Sequence, residues 1–458
     1  MRSGARCGYH VSCSRPATDL QRAVSVAIVG SGPAGMYTAD ELLRCARPPR
    51  AIHIFERRVL PFGLLRYGVA PDHAEVRLVE HKFHDEVLDD PAVQLFGRVE
   101  VGRDVSLAQL CAAYDAVFLC HGAASSRYLP LAAAGGGLGV DGASVAYGER
   151  QYVSSQQFVG WYNGDPEQAG RSFDLDGVTD VAIVGAGNVA LDIARLLLKP
   201  PELLEETDMA RPALAALRSS RVARVTVVAR RGPAHAAFAT KELRELSLLP
   251  GLDLETDVPA VRRAAEEATQ RPQRRLLQLL ADAASRPSRG PAARRLCFRF
   301  AAAPLALSVD EHGRARALLT EGGGAVPAQL VVAAVGYCGH SPDPVLAPMA
   351  AGDAHLQNAA GQLRPGLYAT GWAKRGASGI VATNKFCAAE TVQAFLRDEL
   401  RPEKPGVPPA LPPHALSREQ MEALEHAEKT RGQGRFTSFA EIQACLDEAS
   451  ARQIKQRA

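Results

Sequence analysis

The chain has 458 residues, enough for two or three domains, and 47% of them are apolar, enough for large buried cores. A formal net charge of +3 is too balanced for a nucleic-acid-binding protein and allows only a local basic patch. Nine cysteines, at positions 7, 13, 45, 111, 120, 297, 338, 387 and 445, form no CxxC or CxxxxC pair, which argues for a reducing compartment and against an iron–sulfur ligand set or a redox disulfide.

The first residues, "MRSGARCGYHVSCSRPATDLQR", carry Arg2, Arg6 and Arg15 and no acid before Asp19. That composition predicts a mitochondrial or plastid transit peptide, or else an ordinary disordered tail, over residues 1–23. "VSVAIVG" then reads as a buried parallel strand, "SGPAGMYTADELLRCA" as a helix and "AIHIFE" as a second strand. "VEVGRDV" and "YDAVFLCHGA" are expected as later strands of the same sheet, and "LPLAAAGGGLGVDGAS" as a surface loop. The unit starts again near Val178: "TDVAIVG" a strand, "AGNVALDIARLLL" a helix, and "VARVTVVARR" a strand. A charged insertion, "KPPELLEETDMARPALAALRSSR", and a basic, Ala-rich stretch around "RPQRRL" are both helix-forming, and "PLALSVDEHGRARALLTE" alternates like an antiparallel hairpin. "LVVAAVGYCG" and "GLYATGWA" read as strands, "TNKFCAAETVQAFLRDEL" as a helix, "RPEKPGVPPALPPH" as a Pro-rich linker, and the last forty or so residues as amphipathic helices. No apolar run reaches the roughly 18 residues of a membrane span. The predicted fold class is α/β, with two Rossmann-like dinucleotide-binding domains, the second inserted into the first: residues 24–177 and 336–400 for one, 178–335 for the other, and 401–458 as linker and helical extension.

Gly30, Gly32 and Gly35 stand in a G-x-G-x-x-G loop between strand and helix. The first permits a tight turn, the second lets backbone approach a pyrophosphate, and the third lets helix and strand pack closely. Glu56 ends the next strand, where a carboxylate accepts hydrogen bonds from a ribose 2′-OH. The second loop, Gly185 to Ala190, is G-x-G-x-x-A, and its next strand ends instead at Arg230 and Arg231. A carboxylate there would repel a 2′-phosphate, whereas two guanidiniums bind it through charge-assisted, often bidentate bonds. The first loop therefore suits a dinucleotide with a free 2′-OH and the second suits NADP, a combination usual for FAD and NADP in one chain.

Five further segments, "LPFGLLRYGVAPDH", "FVGWYNG", "GNVALDIAR", "RRGP…FATKELREL" and "GWAKRGASGIVAT", closely resemble the adrenodoxin-reductase family of ferredoxin–NADP reductases, which belong to the glutathione-reductase-like flavoproteins. The resemblance spans roughly residues 24–400. It implies FAD contacts at Ala34, Glu56, Leu64, Val101, Trp372, Gly379, Ile380 and Val381. It implies NADP contacts at Ala186, Gly187, Asn188, Val189, Arg230, Arg231, Glu242 and Gly379. The family pairs His73 with Asp192; hydride transfer itself needs alignment more than a proton donor, so this pair reads either as a structural bond joining the domains or as a link that tunes the flavin site. Arg244, Arg271 and Arg275 match the family's ferredoxin-facing bases, which would dock an acidic, adrenodoxin-like 2Fe–2S ferredoxin. "NKFCAAET" departs from the family pattern and puts the floor of the flavin site in question, and the chain beyond Pro402 does not align.

The resemblance implies an NADPH-dependent ferredoxin reductase of the mitochondrial matrix, supplying iron–sulfur cluster, haem or sterol metabolism. A monomer without a transmembrane segment is expected, with peripheral inner-membrane association left open. A related disulfide reductase would need a redox cysteine pair, a glutamate-synthase-type subunit would need clustered N-terminal cysteines, and a nucleotide sensor would have no use for the flavin segment or the basic dock. Replacing Arg230 and Arg231 together with glutamine should weaken NADPH binding about 100-fold while NADH changes by less than about 3-fold, because each lost bond to a charged group is worth about 1.5–3 kcal/mol. Equal losses for both nucleotides in a titration would show that the 2′-phosphate is read elsewhere.

Overall fold

The computed structural model describes residues 23–457, except 124, 128, 135–150, 291–292, 340–342, 344–345, 347–349, 352–354 and 432–433. The expected targeting segment, all but its last residue, and most of the low-complexity loop lie outside the described residues. The chain divides into two compact units, Met1–Pro61 with His81–Gly122 and Ser341–Arg418, and Phe62–Glu80 with Ala123–His340 and Glu419–Ala458.

The first unit is built on strands β1 (Ser25–Val29), β2 (Ala51–Phe55), β3 (Val93–Phe96) and β4 (Ala116–Leu119). They line up as β4-β1-β2-β3, all parallel, and the hairpin Gln362–Arg364 and Leu367–Ala369 extends the sheet beyond β4. Every residue of β1 and β4 is buried, which is why these strands read as continuous apolar runs and not as alternating ones. Helix α1 (Pro33–Leu43) follows β1 directly and opens on a proline, whose missing N–H costs nothing in a first turn.

Two expectations need correction here. "VEVGRDV" is not a strand. β3 precedes it, and Val101 and Val105 form only an isolated bridge around a turn at Gly102, whose φ is 97°. Asp104 closes that turn by accepting from the Glu100 N–H at 2.8 Å, so turn chemistry overrides the valines. The Pro-rich stretch is not a free linker either. Asp115 accepts from the backbone N–H groups of Glu403 and Lys404, Gly406 N–H donates to Ala113, and Leu416 pairs with Gly97.

The second unit carries β5 (Tyr152–Ser154), β6 (Asp180–Val184), β7 (Arg224–Val228), β8 (Leu252–Glu255), β9 (Arg294–Arg299) and β10 (Leu330–Ala333). They form one parallel sheet in the order β8-β9-β7-β6-β10-β5. Helix α2 (Asn188–Leu198) joins β6 to β7, so β6–α2–β7 repeats the β1–α1–β2 arrangement. Helices α3 (Thr240–Ser247) and α4 (Arg271–Ala284) follow, both with apolar stripes toward a core that includes Leu243, Leu246, Leu277 and Leu280. The expected hairpin is present as antiparallel Pro304–Val309 and Ala315–Thr320, with Asp310 fixing its turn.

This unit starts earlier than the expected Val178 and is not one continuous insertion. β5 pairs with β10, which pulls residues from Ala123 onward into the second unit, and Phe62–Glu80 and Glu419–Ala458 join it as separate segments.

Gly35 is required by the fold: a Cβ there would lie 1.9 Å from the Gly30 carbonyl oxygen, while a Cβ at Gly32 would meet nothing within 4 Å. Gly35→Ala should therefore cost roughly 3 kcal/mol in chemical denaturation, and Gly32→Ala should stay within about 0.5 kcal/mol of the parent while weakening retention of a bound dinucleotide.

Candidate functional site

Both strand–loop–helix corners are built by one steric rule. Gly30 has φ +99°, and a Cβ on it would come within 2.8 Å of the Cys120 carbonyl at the end of β4; Gly185 has φ +121°, with the Ala334 carbonyl 2.2 Å away beyond β10. Only glycine permits such approaches. In each case the loop's second glycine, Gly32 or Gly187, faces open space and stands at the N-cap of its helix with no side-chain cap. Each helix thus offers free backbone N–H groups and the positive end of its dipole beside an open backbone, a cradle that fits a pyrophosphate.

The corners differ at the end of the second strand. Glu56 is buried, and its carboxylate is already engaged: Oε2 accepts from the Ser31 N–H at 2.9 Å and the Ser31 hydroxyl at 2.6 Å, and Oε1 accepts from the Arg58 N–H at 2.8 Å. Glu56 therefore fixes the glycine loop as well as keeping acceptor capacity for a ribose, since an ionised carboxylate offers about four acceptor sites. Arg230 and Arg231 are exposed, with no ion pair to either among the described residues. Around the second loop, Ala237 N–H donates to Ala186 at 2.8 Å and Ala239 N–H to the Asn188 side chain at 2.7 Å, so the segment leading into α3 is bonded onto Ala186–Val189.

In the first unit, Gly371 packs on the first loop: a Cβ on it would lie 2.4 Å from the Cβ of Ala34. Trp372 Nε1–H donates to the Ser378 carbonyl and the Thr383 hydroxyl accepts from the Ile380 N–H, which bends Gly379–Val381 into a tight, outward-facing turn. Ile380 is 63% exposed, an apolar surface suited to a flat ring system. The divergent "NKFCAAET" residues still support this corner, because Cys387 accepts the Gly371 N–H and Asn384 accepts from Arg375. Val101 is buried in the first unit, whereas Leu64 belongs to the second, at the start of the short helix Leu64–Tyr67.

His73 and Asp192 both lie in the second unit, so their contact does not join the two units. It is also longer than a hydrogen bond, 3.8 Å from Nδ1 to Oδ1. His73 Nε2–H donates instead to Glu245 at 3.0 Å, with Glu242 at 3.6 Å. Arg195, fully buried, is the centre of the cluster. It grips Asp72 through two bonds of 2.9 Å and reaches Glu242 at 3.2 Å, and Lys199 adds a 2.8 Å bond to Asp72. Burial alone would raise Asp72, but the bonds from Arg195 and Lys199 outweigh it and hold that carboxyl well below the usual range. Burial pushes Asp192 up to about 6, only partly offset by Arg195 and His73. Its Oδ1 lies 2.8 Å from Arg195 Nη1 but out of line with any donor hydrogen. His73, Glu242 and Glu245 could by spacing hold a cation, yet the Arg195 guanidinium already supplies the positive charge there.

Arg244 on α3 and Arg271 and Arg275 on α4 come together, with Thr240 and Pro272, around a hollow of about 380 Å³. All three arginines are exposed, and none has an ion pair among the described residues. Sequence reading missed Asp72, Arg195 and Glu245. The i,i+3 spacings Asp192–Arg195 and Glu242–Glu245 were visible, but on a helix such spacing is equally that of a solvated face.

The pyridine nucleotide-disulphide oxidoreductase family model matches residues 24–247. Mitochondrial NADPH:adrenodoxin oxidoreductase from Homo sapiens is 38% identical over 409 residues, covering 82% of this chain and 79% of the relative. NADPH-ferredoxin reductase FprA from Mycobacterium tuberculosis is 36% identical over 398 residues, covering 81% and 83%. The structure of Mycobacterium tuberculosis FprA in complex with NADPH superposes with a TM-score of 0.79 at 30% identity, over 93% of this chain and 100% of that one.

The raised Asp192 pKa sets a pH dependence. The unfolded chain loses this proton near pH 4 and the folded chain only near pH 6, so this group's contribution to stability is present below pH 4 and is lost as pH rises to 6. Asp192→Asn should remove that slope, gaining on the parent by on the order of 2 kcal/mol between pH 4 and 7. Parallel stability–pH curves from urea denaturation would contradict it.

Proposed function

The chain belongs to the family of NADPH:adrenodoxin and NADPH–ferredoxin oxidoreductases, and from that premise we propose that its two glycine loops divide the work of one electron-transfer enzyme. FAD sits at the Gly30–Gly35 loop and NADPH at the Gly185–Ala190 loop, and the acceptor is an acidic 2Fe–2S ferredoxin. The observation that carries this assignment is the contrast between a buried Glu56, bonded to its own loop, and the exposed Arg230 and Arg231 just past the end of the second unit's equivalent strand, which have no ion pair among the described residues. Bound FAD supplies the chemistry that turns a hydride from NADPH into single electrons for the ferredoxin.

The chain's own residues bind and orient. The N–H groups of α1 and α2 take the two pyrophosphates, Glu56 holds a ribose, and Arg230 and Arg231 hold the 2′-phosphate. Ala186 to Val189 line the NADP backbone path, and Glu242 is a further contact. Trp372 and Gly379–Val381 present backbone and apolar surface to the flavin. Val101 and Ala34 complete the FAD contacts. No side chain is required to pass a proton to the reacting carbon. His73, Asp192 and Glu245 accordingly serve Arg195 and the geometry of α2 and α3.

Arg244, Arg271 and Arg275 form the ferredoxin dock. Their concave grouping, free of internal ion pairs, supports it: nothing in the described chain competes with an incoming carboxylate. The mitochondrial relatives support a mitochondrial location, and among the described residues no helix is long and apolar enough to cross a membrane.

The reading is tested by NADPH-dependent cytochrome c reduction with and without a mitochondrial-type 2Fe–2S ferredoxin. Ferredoxin should raise the rate at least about 10-fold at low salt, and the gain should shrink as salt screens the dock. Changing Arg244, Arg271 and Arg275 to glutamine should lower kcat/KM for ferredoxin about 10–100-fold and flatten its salt dependence, leaving NADPH binding unchanged. A salt-independent rate, or one unaltered by the triple change, would remove the dock.

A further inference from the structure

Lys374 and Arg375 stand side by side in the segment "GWAKRGASGIVAT" of the first unit. Their charges are met differently. Lys374 is buried, and its Nζ donates to Glu390 at 2.6 Å and to the Thr391 hydroxyl at 3.1 Å, so a carboxylate within the chain balances it. Arg375 is met only by neutral acceptors among the described residues: Nε donates to the Ser378 carbonyl at 3.3 Å and Nη2 to Asn384 Oδ1 at 3.1 Å. Its third nitrogen, Nη1, is screened from solvent and has no acceptor among the described residues. A buried donor on a charged group is costly to leave unbonded, so an orphan of this kind marks a place for a ligand atom.

The two bonds that Arg375 does make bracket the Gly379–Val381 turn. Ser378 leads into it, and the same carbonyl accepts from Trp372 Nε1–H at 3.0 Å. Asn384, buried at the start of the helix Thr383–Arg397, donates through Nδ2–H to the Val381 carbonyl at 3.0 Å, which closes the turn's far end. Asn384 Oδ1 also sits 3.2 Å from the place of a Cβ on Gly371, the residue that packs on Ala34 of the glycine loop. Arg375 and Asn384 therefore tie the turn to the corner that carries the loop, all within the first unit.

We propose that Arg375 is a flavin-binding residue: Nε and Nη2 hold the turn, and Nη1 donates to an acceptor atom of the bound isoalloxazine. This rests on the reading of Trp372 and Gly379–Val381 as flavin contacts. The unbalanced charge has a use there. A hydride brings an electron pair and one proton, so the ring that accepts it from NADPH gains one negative charge. A guanidinium bonded to the ring stabilises that charge more than it stabilises the neutral, oxidised ring. Arg375 thereby favours the reduced flavin, whereas Lys374 is already balanced by Glu390.

The test uses the full-length FAD-loaded protein and its Arg375→Gln, Arg375→Lys and Thr383→Val variants. Thr383→Val removes the acceptor of the Ile380 N–H and loosens the same turn while leaving Arg375 in place. Two quantities are measured: FAD release on dilution, read as free-flavin fluorescence, and the two-electron midpoint potential, read against dyes of known potential. Arg375→Gln should release FAD at least about 10-fold faster. It should also weaken reduced FAD about 10-fold more than oxidised FAD, a fall of about 30 mV. Arg375→Lys keeps the charge without the fork, so it should release FAD faster and hold its potential nearer the parent's. Thr383→Val should release FAD faster at the parent's potential. Parental release and potential in Arg375→Gln would overturn the proposal and leave the FAD site standing. Faster release at the parent's potential in that variant would overturn the bond to the ring, and an equal fall in Thr383→Val would reduce Arg375 to a turn residue. If Arg375→Gln keeps too little FAD to titrate, Arg375→Lys decides, and parental release there would overturn the proposal. A parent that purifies without FAD would overturn the reading on which it rests.

Discussion

Each unit depends on a close approach between main chains that only glycine allows. Gly30 lies against the Cys120 carbonyl, Gly185 against that of Ala334, and Gly35 against Gly30 itself. These approaches turn the chain sharply from strand into helix, and that turn leaves the first helical N–H groups uncapped and pointing at open backbone. The anion cradle is thus a by-product of packing. Sheet order then places it at the ends of parallel strands, where open α/β sheets collect their ligands.

On this common frame the two corners differ at one position, Glu56 against Ala229, each followed by two arginines. A buried carboxylate at Glu56 is tolerable because Ser31 and Arg58 saturate much of it, and the same bonds stiffen the loop. Two adjacent guanidiniums could not be buried that way without partners. Arg230 and Arg231 are exposed, with no ion pair to either among the described residues. Burial differs accordingly: Glu56 is internal and bonded to its own loop, while Arg230 and Arg231 are exposed.

Much of this was legible in the sequence. The apolar runs of β1, β4, β6 and β7, the glycine spacings and the charges ending β2 and β7 all act over a few residues, and periodicity reports them. What remained hidden depends on contacts far apart along the chain. Pairing of β5 with β10 moves the residues from Ala123 onward into the second unit, and no local pattern encodes that. Asp72 and Arg195 form a bidentate pair across 123 positions, yet each looks like an ordinary surface charge. The C-terminal arginine Arg435 is equally anonymous in sequence, although it is buried and donates to the Arg66 carbonyl, 369 positions away. "VEVGRDV" misled for the opposite reason: its valines suggested a strand, while Gly102 and Asp104 set a turn.

The central claim is that one chain brings NADPH to the Gly185 loop to reduce a flavin held at the Gly30 loop. Rapid anaerobic mixing of the purified yellow protein with NADPH measures this directly. The account predicts prompt loss of the flavin's visible absorbance with NADPH and a far slower loss with NADH at the same concentration. Flavin absorbance that persists with NADPH, or bleaches equally fast with both nucleotides, would contradict it.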